Sequence, residues 1–94
     1  MPTVTLATTL AKWLPGHAGG ELSLRVSGGT VRETLEQVFI VYPLLRGYVL
    51  EDQGALRHHI AVFVDGVAVG DKQTLQQPVT AQSEIFIAQA LSGG

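Results

Sequence analysis

A chain of 94 residues has room for one hydrophobic core, and at 46% hydrophobic against 15% charged residues it is globular rather than disordered. Its net charge is -2, and its cations (Lys12, Arg25, Arg32, Arg46, Arg57, Lys72) are scattered, so there is no basic stripe to follow a nucleic-acid backbone. The lack of cysteine excludes a thiol nucleophile, a thiolate metal site and any need for disulfides.

No apolar run reaches membrane-spanning length, and Met1-Pro2-Thr3-Val4 lacks the basic start and apolar core of a secretory leader. The expectation is a cytoplasmic protein that binds neither membrane nor nucleic acid. Val4 to Leu10 alternates loosely and is rich in β-branched residues, which predicts a first strand. Pro15 to Gly20 is turn chemistry. Glu21 to Ser27 alternates with period two, placing Leu22, Leu24 and Val26 toward a core and predicting a hairpin with the first strand.

Gly28-Gly29 breaks the chain before Thr30-Val31-Arg32-Glu33, a capping box in which the Thr30 hydroxyl accepts from the Glu33 amide and the Glu33 side chain reaches back to Thr30. Val31, Leu35, Val38, Phe39 and Tyr42 follow at helical spacing, so one amphipathic helix is predicted from Val31 to Val41, ended by Pro43. Between Pro43 and His59 no element is assigned. Leu44, Leu45, Tyr48, Val49 and Leu56 are apolar enough to fold back onto the body, and Glu51 to Gly54 is a turn. Ile60 to Val64 reads as a strand buried on both faces, Asp65-Gly66 as a two-residue hairpin turn, and Val67 to Val69 as the return strand. A polar connection from Gly70 to Gln82 leads to the last strand, Glu84 to Ala88. The order implies a sheet covered on one face by a single helix, the two-layer solution for a small α+β domain.

No internal catalytic constellation emerges. His58-His59 precedes a strand, where neighbouring side chains point to opposite faces and cannot chelate one ion. His17 lies in a turn, Glu33 and Glu36 suit a cap and a solvated helix face, and Gly19-Gly20 a turn. Gly28-Gly29 lacks the further glycines or lysine of a phosphate loop. Trp13, with Leu14, either anchors a partner or covers the first loop. Phe63 and Phe86 read as core. What remains is the end of the sequence, Leu91-Ser92-Gly93-Gly94. A terminal Gly-Gly leaves its carboxylate uncrowded, and Gln89 to Gly94 can extend about 20 Å. Such a tail can thread a narrow channel.

In these features the sequence resembles the MoaD/ThiS family of sulfur carriers, which have the ubiquitin-like β-grasp fold. The resemblance rests on the Thr30 to Val41 helix after two opening strands, on Val62-Phe63-Val64-Asp65-Gly66-Val67, and on Ser83-Glu84-Ile85-Phe86-Ile87 running into Leu91-Ser92-Gly93-Gly94. Two departures stand out. Gln89-Ala90-Leu91-Ser92 replaces the Pro and Val-Ala that many members carry before the glycines, and the Pro43 to His59 segment exceeds that of the compact thiamin-pathway carriers. In length the chain looks CysO-like, similar to carriers that serve cysteine biosynthesis.

The resemblance implies a mixed sheet of four to five strands with one main helix on one face. It also implies a body over residues 1–88 and a flexible tail over 89–94. Gly94 would be adenylated by a ubiquitin-activating-type partner enzyme using ATP-Mg, while Gly93, Ser92 and Leu91 thread that enzyme's active site. A thiocarboxylate on Gly94 would then donate sulfur to a sulfur-accepting biosynthetic enzyme, in a cysteine, molybdopterin, thiamin or secondary-metabolite pathway. A protease enters where the gene encodes residues beyond Gly94. The chain would be a stoichiometric carrier rather than an enzyme, with no cofactor or metal of its own, docking through an apolar patch on its sheet. Two other readings stay open: a ubiquitin-like modifier joined through Gly94 to lysines, and a β-grasp binding module with an incidental tail. A small enzyme lacks an identifiable acid and base.

Overall fold

The computed structural model describes residues 1–17 and 19–89. Strand β1 (Thr3–Leu6) pairs antiparallel with β2 (Leu22–Arg25), with Thr3 opposite Arg25 and Leu6 opposite Leu22. The first strand therefore ends at Leu6, short of the expected Leu10, and Thr8–Ala11 forms a one-turn helix, α1. The reason is the placement of apolar groups. Leu10, Ala11 and Leu14 are all buried, and a strand would send Leu10 and Ala11 to opposite faces. The Ala7 amide still donates to the Ile87 carbonyl, and the Ala7 carbonyl accepts from Leu10 and Ala11, so the chain turns out of the sheet at a fixed point.

Helix α2 (Val31–Val41) has the expected bounds. Thr30 Oγ1 accepts from the Glu33 amide at 3.2 Å, but the Glu33 carboxylate reaches one residue further back than expected, to the Gly29 amide at 2.7 Å. Val31, Thr34, Leu35, Val38 and Phe39 are buried. Gly28 has φ +147, and a Cβ there would stand 2.9 Å from the Thr34 amide nitrogen, so the chain can enter this helix only through glycine.

Within the unassigned segment lies a short helix, α3 (Leu45–Val49). Leu45, Val49 and Leu56 are buried as expected, whereas Leu44 and Tyr48 are 69% and 45% exposed. Leu45/Val49 and Leu44/Tyr48 are both four-residue pairs, so they form adjacent stripes on one turn. Only the first stripe meets the core.

Strands β3 (Ile60–Val64) and β4 (Val67–Ala68) form the expected hairpin through Asp65 and Gly66, at φ +50 and +86. Strand β5 (Glu84–Gln89) runs one residue past its expected end. The five-stranded sheet has the order β2-β1-β5-β3-β4, with β5 parallel to β1 and antiparallel to β3. It is mixed, with one principal helix, as expected. One expectation is overturned: β3 is not buried on both faces. Ile60, Val62 and Val64 are buried while Ala61 and Phe63 are half-buried, because α2 covers a single side.

Candidate functional site

The expected site residues Leu91, Ser92, Gly93 and Gly94 lie outside the described residues, as does Ala90. What the structure defines is the root of that tail. Gln89 lies opposite Ile60, at the start of β3, and Ile87 lies opposite Leu6, at the end of β1. Strand β5 is the central strand of the sheet, laddered to β1 as far as Ile87 and to β3 as far as Gln89. Packed against β5 at this end is α1. Hydrogen bonds from Arg57 N to the Val49 carbonyl and from Ile60 N to the Arg57 carbonyl bring α3 beside the start of β3.

The uncovered face of the sheet carries Phe63 and Phe86, directly opposite each other on β3 and β5, with ring centroids 6.4 Å apart and planes tilted by 46°. The expectation that they are core is corrected: both are half-buried. Ala61 and Ala88 form the next pair toward the tail root. Thr5, opposite Phe86 on β1, shares a 2.8 Å hydroxyl–hydroxyl hydrogen bond with Ser23. Glu21, Asp65 and Glu84 border a shallow depression of about 770 Å³ over the two rings. The Asp65 carboxylate is held there by the Glu84 amide at 2.9 Å. The arrangement is an apolar centre with a polar, acidic rim, the composition of a protein-docking surface.

The other singled-out residues have structural partners. His17 Nε2 donates to the Gly20 carbonyl at 2.9 Å. His58 and His59 meet edge to face, 5.5 Å between centroids, and among the described residues no group of three His, Asp or Glu side chains could hold a metal ion. The first amides of α2, on Val31 and Arg32, donate to the Gln77 and Leu75 carbonyls, so Gly28-Gly29 opens no phosphate cradle. Glu36 pairs with Arg46 and more distantly with Arg32. This holds the Arg46 guanidinium above its ordinary pKa, chiefly through the hydrogen bond to Glu36. Asp71 is depressed to about 2, first by the Thr74 hydroxyl and then by backbone amides of its own turn.

The sequence marks Trp13 as a candidate partner anchor and predicts a patch on the sheet, but it assigns neither the Phe63/Phe86 face nor the pairing of Trp13 with Tyr48. The open-face aromatics had a signal: in Ile60 to Val64 and Ile85 to Ala88, each Phe takes the opposite parity to the Ile and Val residues. The stack of Trp13 on Tyr48, 5.9 Å between centroids at 20°, had none, because the two rings are brought together by elements distant in sequence.

A five-stranded mixed sheet with its last strand central and one long helix across one face is the ubiquitin-like β-grasp. Solved structures similar to this chain make that kind more specific: they include SAMP1 and CysO, and the fold is of the MoaD/ThiS-like type. SAMP1 from Haloferax volcanii is 28% identical at TM-score 0.75, over 99% of this chain and 98% of that one. A chain of the Amycolatopsis orientalis BexX/CysO complex is 27% identical at TM-score 0.75, over 97% and 99%. CysO of Mycobacterium tuberculosis, 18% identical at TM-score 0.73 over 94% and 99%, shares the fold. Neither a family model nor a curated protein matches the sequence. Among the described residues no helix is long and apolar enough to cross a membrane.

Proposed function

We propose that this chain is a sulfur carrier whose active group is the carboxylate of Gly94. The observation that carries the reading is the placement of β5. In a body similar to SAMP1 and CysO, β5 is the central strand, and the sequence that follows it ends Gly93-Gly94. A carboxylate resists nucleophiles because its charge is delocalised. In a partner adenylating enzyme one Gly94 oxygen attacks the α-phosphorus of MgATP and pyrophosphate leaves. The acyl-adenylate then loses AMP to a sulfur nucleophile at the acyl carbon, leaving a C-terminal thiocarboxylate. An acceptor enzyme draws sulfur from it in a biosynthetic pathway. The glycines keep side chains out of the channel, Leu91 and Ser92 span it, and the Phe63/Phe86 face with its acidic rim docks the body. A CysO occurs in complex with another protein, BexX, which supports a carrier that works by docking.

The 28% identity to SAMP1, a small archaeal modifier protein, favours a second reading: activation is shared, and Gly94 ends in an isopeptide bond to a lysine. One experiment separates the two. Incubated with its adenylating enzyme, ATP and a sulfur source, the intact chain is expected to gain the mass of one oxygen replaced by sulfur. Deleting Gly94, or Gly93→Val, abolishes the gain without changing thermal stability. A truncated chain activated as well as the intact one refutes the carrier. Covalent conjugates in place of thiocarboxylate establish the modifier.

A further inference from the structure

The end of the body nearest Gln89 carries an apolar surface that the proposed chemistry leaves unused. Trp13, following α1, stacks on Tyr48 of α3, and they are 51% and 45% exposed. Leu44 and Val41 extend the patch at 69% and 57% exposure. Beside them an apolar groove of about 260 Å³ runs between Leu14-Pro15 and the Val41 to Leu44 turn. At the rim the Lys12 ammonium sits 5.2 Å from the Trp13 ring centroid. Among the described residues no carboxylate pairs with it, the ion pairs found being those of Arg32 and Arg46 with Glu36. Tryptophan and tyrosine are the residues most enriched among binding hot spots, and a cation beside an aromatic face is available to an incoming anion.

Both arms of this surface are anchored at the tail root. The α1 arm follows the point where the Ala7 amide holds Ile87, and the α3 arm precedes Ile60, which pairs with Gln89. A protein that draws in residues beyond Gln89 must therefore stand against this end. Area decides between that protein and a second copy of the chain. Half-exposed, the two aromatics offer about 100 Å² each, and the whole patch on the order of 400–500 Å². That is the size of the largest apolar patch on a typical monomer, which is often functional, yet short of the roughly 800 Å² per side that a stable complex buries. By itself it does not hold a dimer together; joined to the tail and to the Phe63/Phe86 face it completes a standard interface.

We infer that the Trp13/Tyr48/Leu44 surface docks the protein that takes up the tail, and that this partner offers an apolar hollow bordered by carboxylates facing Lys12. The inference rests on the carrier reading. Its test measures ATP–pyrophosphate exchange by the adenylating enzyme against carrier concentration for the intact chain, Trp13→Ala, Leu44→Glu and Lys12→Glu. All three positions are exposed, and unchanged melting temperatures check folding. The expected result is a KM for the carrier raised about tenfold or more, corresponding to about 1.4 kcal/mol of lost docking, at unchanged kcat. Added salt should raise the KM of the intact chain more steeply than that of Lys12→Glu. If the intact chain supports exchange and the variants match its KM, the docking surface is wrong and the carrier stands. If the intact chain supports no exchange, both fall. A concentration-dependent dimer in sedimentation that Leu44→Glu dissolves assigns the patch to self-association instead and overturns the inference.

Discussion

The central strands β3 and β5 are apolar on both faces of the sheet, yet only one face is buried. On one, Ile60, Val62, Val64, Ile85 and Ile87 lie buried with Val31, Leu35 and Val38 of α2 in the core. On the other, Phe63, Phe86, Ala61 and Ala88 are half-covered. The difference teaches where stability ends and recognition begins. Apolar area buried in the native body stabilises it, while half-covered apolar area contributes less and, under the carrier reading, is available to a partner. The two faces are also the two sides of one strand, β5, the central strand and the last in the sequence.

Truncation on each side sharpens this contrast. Leu35→Ala, at a wholly buried position, is expected to cost about 2–5 kcal/mol, read as a shifted midpoint in urea. Phe86→Ala, on the open face, should cost only about 1–2 kcal/mol, from partial burial and the lost ring pair. Equal losses at the two positions would break the distinction between a core face and a docking face.

Thr30→Ala tests the helix that makes the covered face. Removing the hydroxyl that accepts the Glu33 amide should lower stability by about 1 kcal/mol without affecting docking. The smallest effect is expected at Asp71, whose turn leads into the fully buried Leu75. Its carboxyl is depressed to about 2 in the folded chain, against about 3.9 when unfolded. A depressed pKa means that the unfolded state binds the proton more readily. The stabilisation is therefore complete above the unfolded value and is lost as pH falls through that window toward 2. Thermal melts of Asp71→Asn against the parent chain should differ slightly at neutral pH and converge in acid. A difference that persists at the acid end would show that the turn does not depend on the carboxylate's charge.

Much of this architecture was legible before any coordinates, for reasons particular residues make clear. Asp65-Gly66 marks its hairpin because two successive positive φ values suit few other pairs. Four of the strands announced themselves by β-branched content. The extended reading of Thr8 to Leu10 failed because threonine and leucine suit either state, and the choice fell to where Leu10 and Ala11 could be buried. The candidate site was legible only as a tail chemistry. Its residues, Leu91 to Gly94, fall outside the described part of the chain, and of the surfaces beside β5 only the parity of the Phe residues and Trp13 as a candidate anchor were legible, not the pairing of Trp13 with Tyr48.

By itself the sequence determined helix α2 to the residue, since its cap, its apolar period and the proline beyond it are all local. It determined the hairpin turn, the identity of the last strand and the small α+β class for the same reason. Only the tertiary structure decided that α1 and α3 exist, because helices of four and five residues cannot offset the cost of nucleation without a core to pack on. It alone decided which parity of β3 and β5 faces outward, since either face of an apolar strand can be covered and the path of α2 selects one. And it alone brought Trp13 onto Tyr48 beside the tail root, a meeting made by chain topology rather than by any neighbourhood in sequence.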